Sequence, residues 1–322
     1  MSARQVRWGI IGCGNIATTA IAPAIKWAQD AELLAVASRT QERATPKAVE
    51  TGAPRAYGCY EALLADSDID IIYIGLPNGE HARWALEAAR AGKHVLCDKS
   101  LALQVADAQG ARAAFADRNC ILVEGFMVRH HPQWTAVKRL VDEGTIGKVR
   151  HIRAWLRATL DDPTNHRWSA KLGGGALFDV TCYPVNVARY ILGEEPSRVR
   201  ATARWAKPGV DESTDALLEF PSGAMASVHG SLRAPYEQGV VIVGEHGRIV
   251  MERPFMPNWD PTELIIERKS SRDVHHVSGA NQFLHMVEHV TQCVRDREKP
   301  IFPAEDGVAN VEACVAIREA CA

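Results

Sequence analysis

Short apolar runs alternate with helix-like patterns along the first 125 residues of the chain. The run Val6–Ile11 has the length of a buried strand, and from Ile16 onward apolar residues recur at the spacing of one helix face. Further strand-like runs lie at 32–39, 69–74, 94–97 and 121–124, and helix-like stretches lie at 41–50, 60–65, 79–91 and 105–117. This alternation predicts an α/β fold whose first sheet is parallel and has right-handed crossovers.

The pattern changes from about Arg129. A helix-like stretch at 133–143 is followed by a long alternating run at 149–160, and later strand-like runs are separated by turn signals. These runs lie at 199–205, 215–220, 225–231 and 240–243, with helices expected at 176–192, 282–297 and 305–320. Such a pattern predicts a second α/β domain with an open, largely antiparallel sheet. We therefore expect domains at 1–125 and 126–304.

Composition narrows the class of partner. With 47% hydrophobic residues, 24% charged residues and a net charge of −2, the chain has no general attraction to nucleic acid or to an anionic membrane. The apolar run Trp8–Ile11 is far too short to span a bilayer, and no leader pattern opens the chain. The eight cysteines are scattered without a C-x-x-C pair, which fits reduced thiols. We expect a cytoplasmic protein with a small-molecule partner.

A glycine motif joins the first strand to the first helix. In Gly12-x-Gly14-x-x-Ala17, the first glycine permits a tight turn, the second lets the backbone approach a pyrophosphate, and Ala17 allows close helix packing. The start of the helix supplies N–H groups to phosphates. The same junction can also be a packing device, but its position before the long alternation favours a Rossmann dinucleotide site. We assign Gly12, Gly14, Asn15 and Ile16 to cofactor binding.

The end of the second strand bears on which dinucleotide binds. An NAD site usually has an acidic residue about 20 positions after the glycines, whereas an arginine there accommodates the 2′-phosphate of NADP. The chain has Ser38-Arg39-Thr40 at this place, and the first carboxylate that follows is Glu42. A guanidinium matches phosphate geometry and the two hydroxyls add donors. The sequence therefore favours NADP, the alternative being that Arg39 only begins a solvated loop.

Three later segments are expected beside the same crevice, because ligands of parallel sheets bind beyond the carboxyl ends of the strands. They are Leu76–Asn78, Asp98–Ser100 and Glu124–Phe126. His81 either touches the cofactor from the start of its helix or lies at the rim of the crevice. The candidate cofactor-binding residues from this part of the chain are Leu76, Pro77, Asn78, His81, Asp98 and Lys99.

Motifs along nearly the whole chain resemble those of the glucose-fructose oxidoreductase, inositol dehydrogenase and MocA-type family of NAD(P)-dependent enzymes. They are Gly9–Ala17, Leu76–Asn78 with His81, Ala91–Lys99, Glu124–Met127 and Gly173–Pro184. Among its subgroups, the chain is most similar to the dimeric dihydrodiol dehydrogenases and the NADP-dependent aldose dehydrogenases. The resemblance implies a homodimer or homotetramer formed through the C-terminal sheet, and a last helix, at about 305–320, that packs back on the Rossmann domain.

The resemblance also implies that Lys99 and Asp179 are active-site residues and that Tyr183 stands where many relatives have histidine. The chain departs from the family motif Glu-Lys-Pro, because it has Asp98-Lys99-Ser100. A proline after the lysine would restrict the backbone and could adopt a cis bond, and serine lacks that restraint.

The chemistry of hydride transfer gives these side chains distinct roles. Asp179 and Tyr183 are spaced i,i+4 and share a helix face unless Pro184 distorts the turn. Tyr183 is the first candidate to take the hydroxyl proton, provided that a nearby Lys99 lowers its pKa from about 10. Lys99 would stabilise developing alkoxide charge and Asp179 would bind a second hydroxyl. Taken singly, each of these residues is as readily explained as an ordinary solvated or core side chain.

Two further motifs are open to more than one interpretation. Arg167 and Trp168 precede the triple glycine, and Arg167 either reaches the cofactor or substrate or is an ordinary surface arginine. His285-x-x-Glu288-His289 matches an inverted zinc-peptidase pattern, but so short a match is common and we expect no metal.

The sequence as a whole predicts an NADP-dependent dehydrogenase or reductase of a small sugar, polyol or cyclic diol, with aldoses favoured. One alternative is a non-catalytic dinucleotide-dependent sensor on the same fold, because fold does not fix function. Another is an aldose-aldose oxidoreductase that retains a tightly bound NADP while it cycles between two sugars.

Overall fold

The computed structural model describes residues 4–207, 209–257 and 259–321. The chain forms two compact units, Met1–Met127 with Phe283–Val311 and Val128–Gln282 with Glu312–Ala322. The first unit therefore includes a segment after residue 282 that the expected boundaries assign to the second domain.

The first unit contains a six-stranded parallel sheet with the strand order β3-β2-β1-β4-β5-β6. Its strands are β1 Val6–Ile11, β2 Ala31–Ala37, β3 Arg55–Tyr57, β4 Ile71–Ile74, β5 His94–Asp98 and β6 Leu122–Gly125. Its helices up to this point are α1 Ala22–Trp27, α2 Gln41–Thr51, α3 Tyr60–Leu64, α4 Asn78–Arg90 and α5 Val105–Asp117. This is the doubly wound arrangement of a Rossmann domain, so the predicted fold of this half is confirmed.

The second unit contains an eight-stranded sheet with the order β14-β13-β12-β11-β7-β10-β9-β8. Its elements are α6 Pro132–Asp142, β7 Val149–Thr159, α7 Cys182–Leu192, β8 Arg198–Lys207, β9 Val210–Glu219, β10 Met225–Ser231, β11 Arg233–Gly244, β12 Gly247–Met251, β13 Thr262–Arg268 and β14 Ser271–Val277. The pair β7–β10 is parallel and the other pairs are antiparallel. The predicted, largely antiparallel sheet is confirmed, although the sequence did not reveal β12, β13 and β14.

Two helices close the chain, α8 Gln282–Asp296 and α9 Ala304–Ala320. Helix α8 is bonded to the core of the first unit, because the buried indole Nε1 of Trp8 on β1 donates to Thr291 Oγ1 at 3.2 Å. The first half of α9 also belongs to this unit, and Gly307 lies against the Glu124 side chain.

The expected helix at 176–192 is not a uniform α-helix. Leu177–Thr181 form a π-helical turn in which the N–H of Cys182 donates to Leu177 O, and α7 follows directly. Pro184 explains the wider turn, because it has no N–H for the carbonyl of Val180 and its ring crowds that carbonyl in a regular α-helix.

None of the described helices is long and apolar enough to cross a membrane. The eight cysteines all lie in the described ranges, and no disulfide joins any two of them.

Two half-buried histidines of the first unit accept hydrogen bonds from backbone N–H groups. Ile121 N donates to His94 Nδ1 at 2.9 Å, and Ile301 N donates to His289 Nε2 at 3.1 Å. Only an unprotonated ring nitrogen can accept such a bond. Burial lowers the pKa of both rings.

We therefore expect the free energy of unfolding to fall as the pH decreases from 7.5 to 5.5. A histidine whose pKa is lowered by folding binds its proton more tightly in the unfolded chain, so stability is present above pH about 6.5 and declines below it. The substitution His94→Asn keeps an acceptor near Ile121 N and removes the titration, so the decline should become smaller. Urea unfolding at several pH values measures this, with His276→Asn on exposed β14 as the control. An unchanged decline in His94→Asn would contradict the assignment.

Candidate functional site

The glycine turn after β1 is shaped by close backbone contacts. Gly12 has φ +84°, its N–H donates to Ala37 O at 3.2 Å, and a Cβ at this position would lie 2.5 Å from Gly75 O. A Cβ on Gly14 would meet only Gly75 O, at 3.9 Å. The protein's own packing therefore requires glycine at position 12 but not at position 14. The bare backbone at Gly14 leaves room for a close ligand, which fits a dinucleotide pyrophosphate.

The helix after this turn begins with Asn15 and Ile16. Both Thr18 and Thr19 donate their hydroxyl hydrogens to Asn15 O, at 3.3 and 2.8 Å. The carbonyl of Asn15 is therefore engaged within the helix, while the N–H groups of this first turn have no partner one turn earlier. The binding of a phosphate by Asn15 and Ile16 stays a prediction.

The segment Ser38–Thr40 follows β2 and lies beside the glycine turn, since both Gly12 N and Cys13 Sγ donate to Ala37 O. Arg39 is exposed. The nearest carboxylate in the sequence, Glu42, bonds its own backbone N–H and the Thr40 hydroxyl, and these bonds lower its pKa. Glu42 therefore caps the first turn of α2. It does not stand in for the acidic residue that an NAD site uses.

Arg43 is a second basic residue near this segment that the sequence analysis did not single out. It lies on the first turn of α2, and the positive charges of Arg39 and Arg43 both act on the Tyr60 hydroxyl. Burial is the larger effect and raises the pKa of Tyr60.

The segment that carries Lys99 is held at both ends. Asp98 Oδ1 accepts the Lys99 N–H at 2.8 Å, and the buried carboxylate of Glu124 accepts the Leu101 N–H at 2.7 Å. The peptide bond between Lys99 and Ser100 is cis. Lys99 itself is only 9% exposed, so it is not a solvated surface lysine.

His81 joins this segment to the loop after β4. Its Nδ1 lies 2.7 Å from Ser100 O and its Nε2 lies 2.7 Å from Leu76 O. The ring is fully buried. A neutral ring donates to one carbonyl, and donation to both requires the imidazolium. Burial lowers the pKa of His81, while the Asp98 carboxylate opposes this effect.

The loop between β4 and α4 contains the other candidates of this unit. Pro77 precedes the first residue of α4, Asn78, in extended conformation. The His81 bond to Leu76 O therefore fixes the loop from inside the same helix. Residues 76–78 and 98–101 are thus brought together at the carboxyl ends of β4 and β5.

The candidates of the second unit are also brought together. Arg167 Nε lies 2.7 Å from Asp179 Oδ2, so this arginine pairs with the candidate active-site carboxylate. Tyr183 is 8% exposed, and its ring centroid lies 5.9 Å from that of Phe255. The neighbouring Trp168 is buried, with the Arg233 guanidinium 4.5 Å above its ring.

The His-x-x-Glu-His motif on α8 does not assemble a metal site. His289 Nε2 already accepts the Ile301 N–H, and His285 Nδ1 lies 3.7 Å from Glu288 Oε2. Within residues 4–207, 209–257 and 259–321, no group of three His, Cys, Asp or Glu side chains is arranged to hold a metal ion.

Comparisons with known proteins identify the class. Residues 6–126 match the oxidoreductase family with an NAD-binding Rossmann fold, and residues 134–250 match the GFO/IDH/MocA C-terminal domain. The chain belongs to the GFO/IDH/MocA family of oxidoreductases, which confirms the family expected from the motifs.

Several characterised proteins are similar over nearly the full length. The NADP(+)-dependent D-xylose 1-dehydrogenase 2 of Haloferax volcanii is 35% identical over 317 residues, which cover 97% of this chain and 96% of the relative. The trans-1,2-dihydrobenzene-1,2-diol dehydrogenase of Xenopus laevis is 33% identical and covers 93% of each chain. The crystal structure of a 3-ketoreductase from Actinomadura kijaniata in complex with NADP and TDP-benzene superposes with a TM-score of 0.94, at 32% identity and 98% coverage of each chain.

The close approach of Gly12 to Gly75 predicts an unusually costly substitution. Gly12→Ala places a Cβ against a backbone carbonyl, which cannot move without shifting β4, so we expect a loss of about 3–5 kcal/mol in the free energy of unfolding. Gly92 is the matched control, because its φ is +70° and a Cβ there meets nothing within 4 Å. Gly92→Ala should cost only about 1–2 kcal/mol. Urea unfolding of both variants gives the comparison, and equal losses would contradict the steric account.

Proposed function

We propose that this protein is an NADP-dependent oxidoreductase that transfers a hydride between the nicotinamide and a carbinol or carbonyl carbon of a small sugar, polyol or cyclic diol. The observation that carries the proposal is the Lys99 segment, which is buried and is bonded to His81 and Glu124 at the carboxyl end of β5. An aldose-type dehydrogenase or reductase is favoured, because the D-xylose dehydrogenase matches the chain over nearly its full length.

The residues present fit NADP. The bare backbone at Gly14 and the start of the first helix would receive the pyrophosphate. Ser38, Arg39 and Thr40 would bind the 2′-phosphate, with the neighbouring Arg43 adding positive charge. The nicotinamide end of the site would be lined by Leu76, Pro77, Asn78 and Asp98. The buried His81 would hold this lining in place through its bonds to Leu76 O and Ser100 O. Arg167 and Trp168 retain their assignment to the cofactor or substrate side as part of this proposal.

When bound, NADP supplies the group that accepts or donates the hydride. The side chains handle the proton and the developing charge. We assign to Tyr183 the removal of the hydroxyl proton during oxidation and its return during reduction. The Lys99 ammonium orients the substrate oxygen and stabilises alkoxide charge on it. Asp179, held by Arg167, accepts a hydrogen bond from a second substrate hydroxyl.

A second copy of this chain is the proposed partner, in a homodimer or homotetramer. On the open face of the second sheet, one row of directly paired residues crosses all eight strands. Five of its eight members are apolar. Its members are Arg200, Leu217, Ser227, Arg153, Val241, Val250, Ile265 and Val274. The apolar members of this row would be covered if the face paired with its own copy, as closed symmetric oligomers do. The scattered reduced cysteines support a cytoplasmic location.

The cofactor assignment predicts a selective loss in Arg39→Ala. We expect the wild type to bind NADPH more tightly than NADH, and the variant to lose at least about tenfold in NADPH affinity with little change for NADH, because the guanidinium meets only the 2′-phosphate. Fluorescence titration gives both dissociation constants. Arg90→Ala, at the exposed end of α4, is the control. Equal losses for both dinucleotides would contradict the assignment.

The role of Lys99 predicts a separation of activity from stability. Lys99→Met should lower kcat by at least about 100-fold while NADPH still binds, because a positively charged group is lost where alkoxide charge develops. Lys93→Met is the matched control: Lys93 is also buried but donates to Asp66 O and Ile69 O at 2.6 and 2.7 Å. It should lower the unfolding free energy and leave kcat of the folded protein unchanged. Wild-type protein that binds NADPH but turns over no aldose or diol would instead favour the non-catalytic sensor.

A further inference from the structure

A buried carboxylate from β9 meets the start of the π-helical turn that leads to Asp179. Asp211 Oδ2 accepts the Leu177 N–H at 2.8 Å and the Thr214 hydroxyl at 2.6 Å. Asp211 is 7% exposed and Thr214 is 1% exposed. The first N–H groups of a helical segment lack partners within that segment. Asp211 supplies one such partner from strand β9 and so caps the π-helical turn.

The turn before Leu177 is packed directly on the same carboxylate. Gly175 has φ +114°, and a Cβ there would lie 2.2 Å from Asp211 Oδ1. The Gly175 N–H donates to Arg167 O at 2.9 Å. The chain between Arg167 and Leu177 is therefore held on one side by a backbone bond and on the other by Asp211.

The residue next to Asp211 on β9 also lies near the loop that carries Arg167. Glu212, next to Asp211, has Oε2 at 3.6 Å from Arg233 Nε. The Arg233 guanidinium lies 4.5 Å from the ring of Trp168, and the adjacent Arg167 pairs with Asp179. Asp211 thus supports the backbone that leads to Asp179, and the neighbouring Glu212 pairs with the arginine that packs on Trp168, next to Arg167.

The carboxylate of Asp211 supplies a hydrogen-bond acceptor that an apolar residue at this position would lack. Burial disfavours its charge and raises the pKa of Asp211, and the bonds from Thr214 and from the backbone act in the opposite direction. An apolar residue would avoid this opposition but could not accept the Leu177 N–H. Position 211 therefore requires a side chain that accepts the Leu177 N–H. This bond fixes where the helical segment begins.

We propose that Asp211 is a positioning residue for the reaction, which fixes the π-helical turn so that Asp179 and Tyr183 face the substrate in the productive register. The proposal rests on the proposed function, since it takes these two side chains as active. Asp179 lies two residues after the capped N–H and Tyr183 lies six after it. A shift at Leu177 is therefore passed directly to both.

Asp211→Ala, Asp211→Asn and Thr214→Val test the proposal. Loss of the acceptor in Asp211→Ala should lower kcat by about tenfold or more, because small misplacements of reacting groups slow catalysis strongly. NADPH affinity should stay within about twofold of wild type. Asp211→Asn keeps an acceptor oxygen and should recover part of kcat, and Thr214→Val should show a smaller loss. The control is Thr262→Val, which removes a buried hydroxyl from β13 in the same sheet and should leave kcat unchanged.

Hydrogen exchange of the Leu177 amide gives a readout that does not depend on turnover. Faster exchange at Leu177 in Asp211→Ala, together with the fall in kcat, supports the proposal. A kcat that stays at the wild-type value despite faster exchange would overturn it, as would a fall in kcat of the same size in Thr262→Val. If the wild type itself has no turnover, the proposed function fails, and the catalytic role of Asp211 fails with it even when exchange shows that the cap exists. If Asp211→Ala does not fold, the folded Thr214→Val decides the same question through the same two measurements.

Discussion

The contact between the Gly12 turn and the Gly75 carbonyl is the constraint on which the first unit depends. It brings the end of β1 against the end of β4 so closely that no side chain fits between them. A Cβ added at Gly12 would lie only 2.5 Å from the Gly75 oxygen. The same turn donates from Gly12 N to Ala37 O at the end of β2. Three strand ends are thereby fixed around one short loop. The first helix then starts beside them, and the first N–H groups of a helix, which lack partners within it, are suited to binding a phosphate.

Buried polar side chains that bond to backbone groups recur wherever a candidate catalytic residue lies on an irregular segment. His81 and Glu124 hold the residues around Lys99, and Asp211 holds the turn before Asp179. Loops at strand ends and the first turn of a helical segment leave backbone groups without the partners that a regular ladder provides, and such groups are costly when buried. A side chain from elsewhere in the fold supplies the missing partner. These residues therefore act on the geometry of the site without being its reacting groups.

The sequence predicted those features that depend on local pattern. The parallel first sheet, the glycine turn and the largely antiparallel second sheet follow from apolar periodicity and turn residues, which neighbouring positions determine, whereas the short strand β3 and the parallel β7–β10 pair were not predicted. The strands β12, β13 and β14 were missed because their apolar runs are short, as in Thr262–Arg268, where three apolar residues lie between charged ones. The bond from His81 to Ser100 O spans 19 residues and that from Leu177 to Asp211 spans 34. Such contacts depend on how distant parts of the chain pack together, and the pattern of apolar residues along the sequence does not predict them.

The pairing of Arg167 with Asp179 separates the roles of the two acidic groups in the proposed chemistry. A carboxylate that bonds a guanidinium at 2.7 Å has its negative charge compensated, and it is a poor proton acceptor. It still has lone pairs with which to accept a hydrogen bond from a substrate hydroxyl. Asp179 is therefore suited to orienting the substrate and not to removing its proton. This division of roles agrees with the proposal that the phenol of Tyr183, on the same helical segment, exchanges the proton.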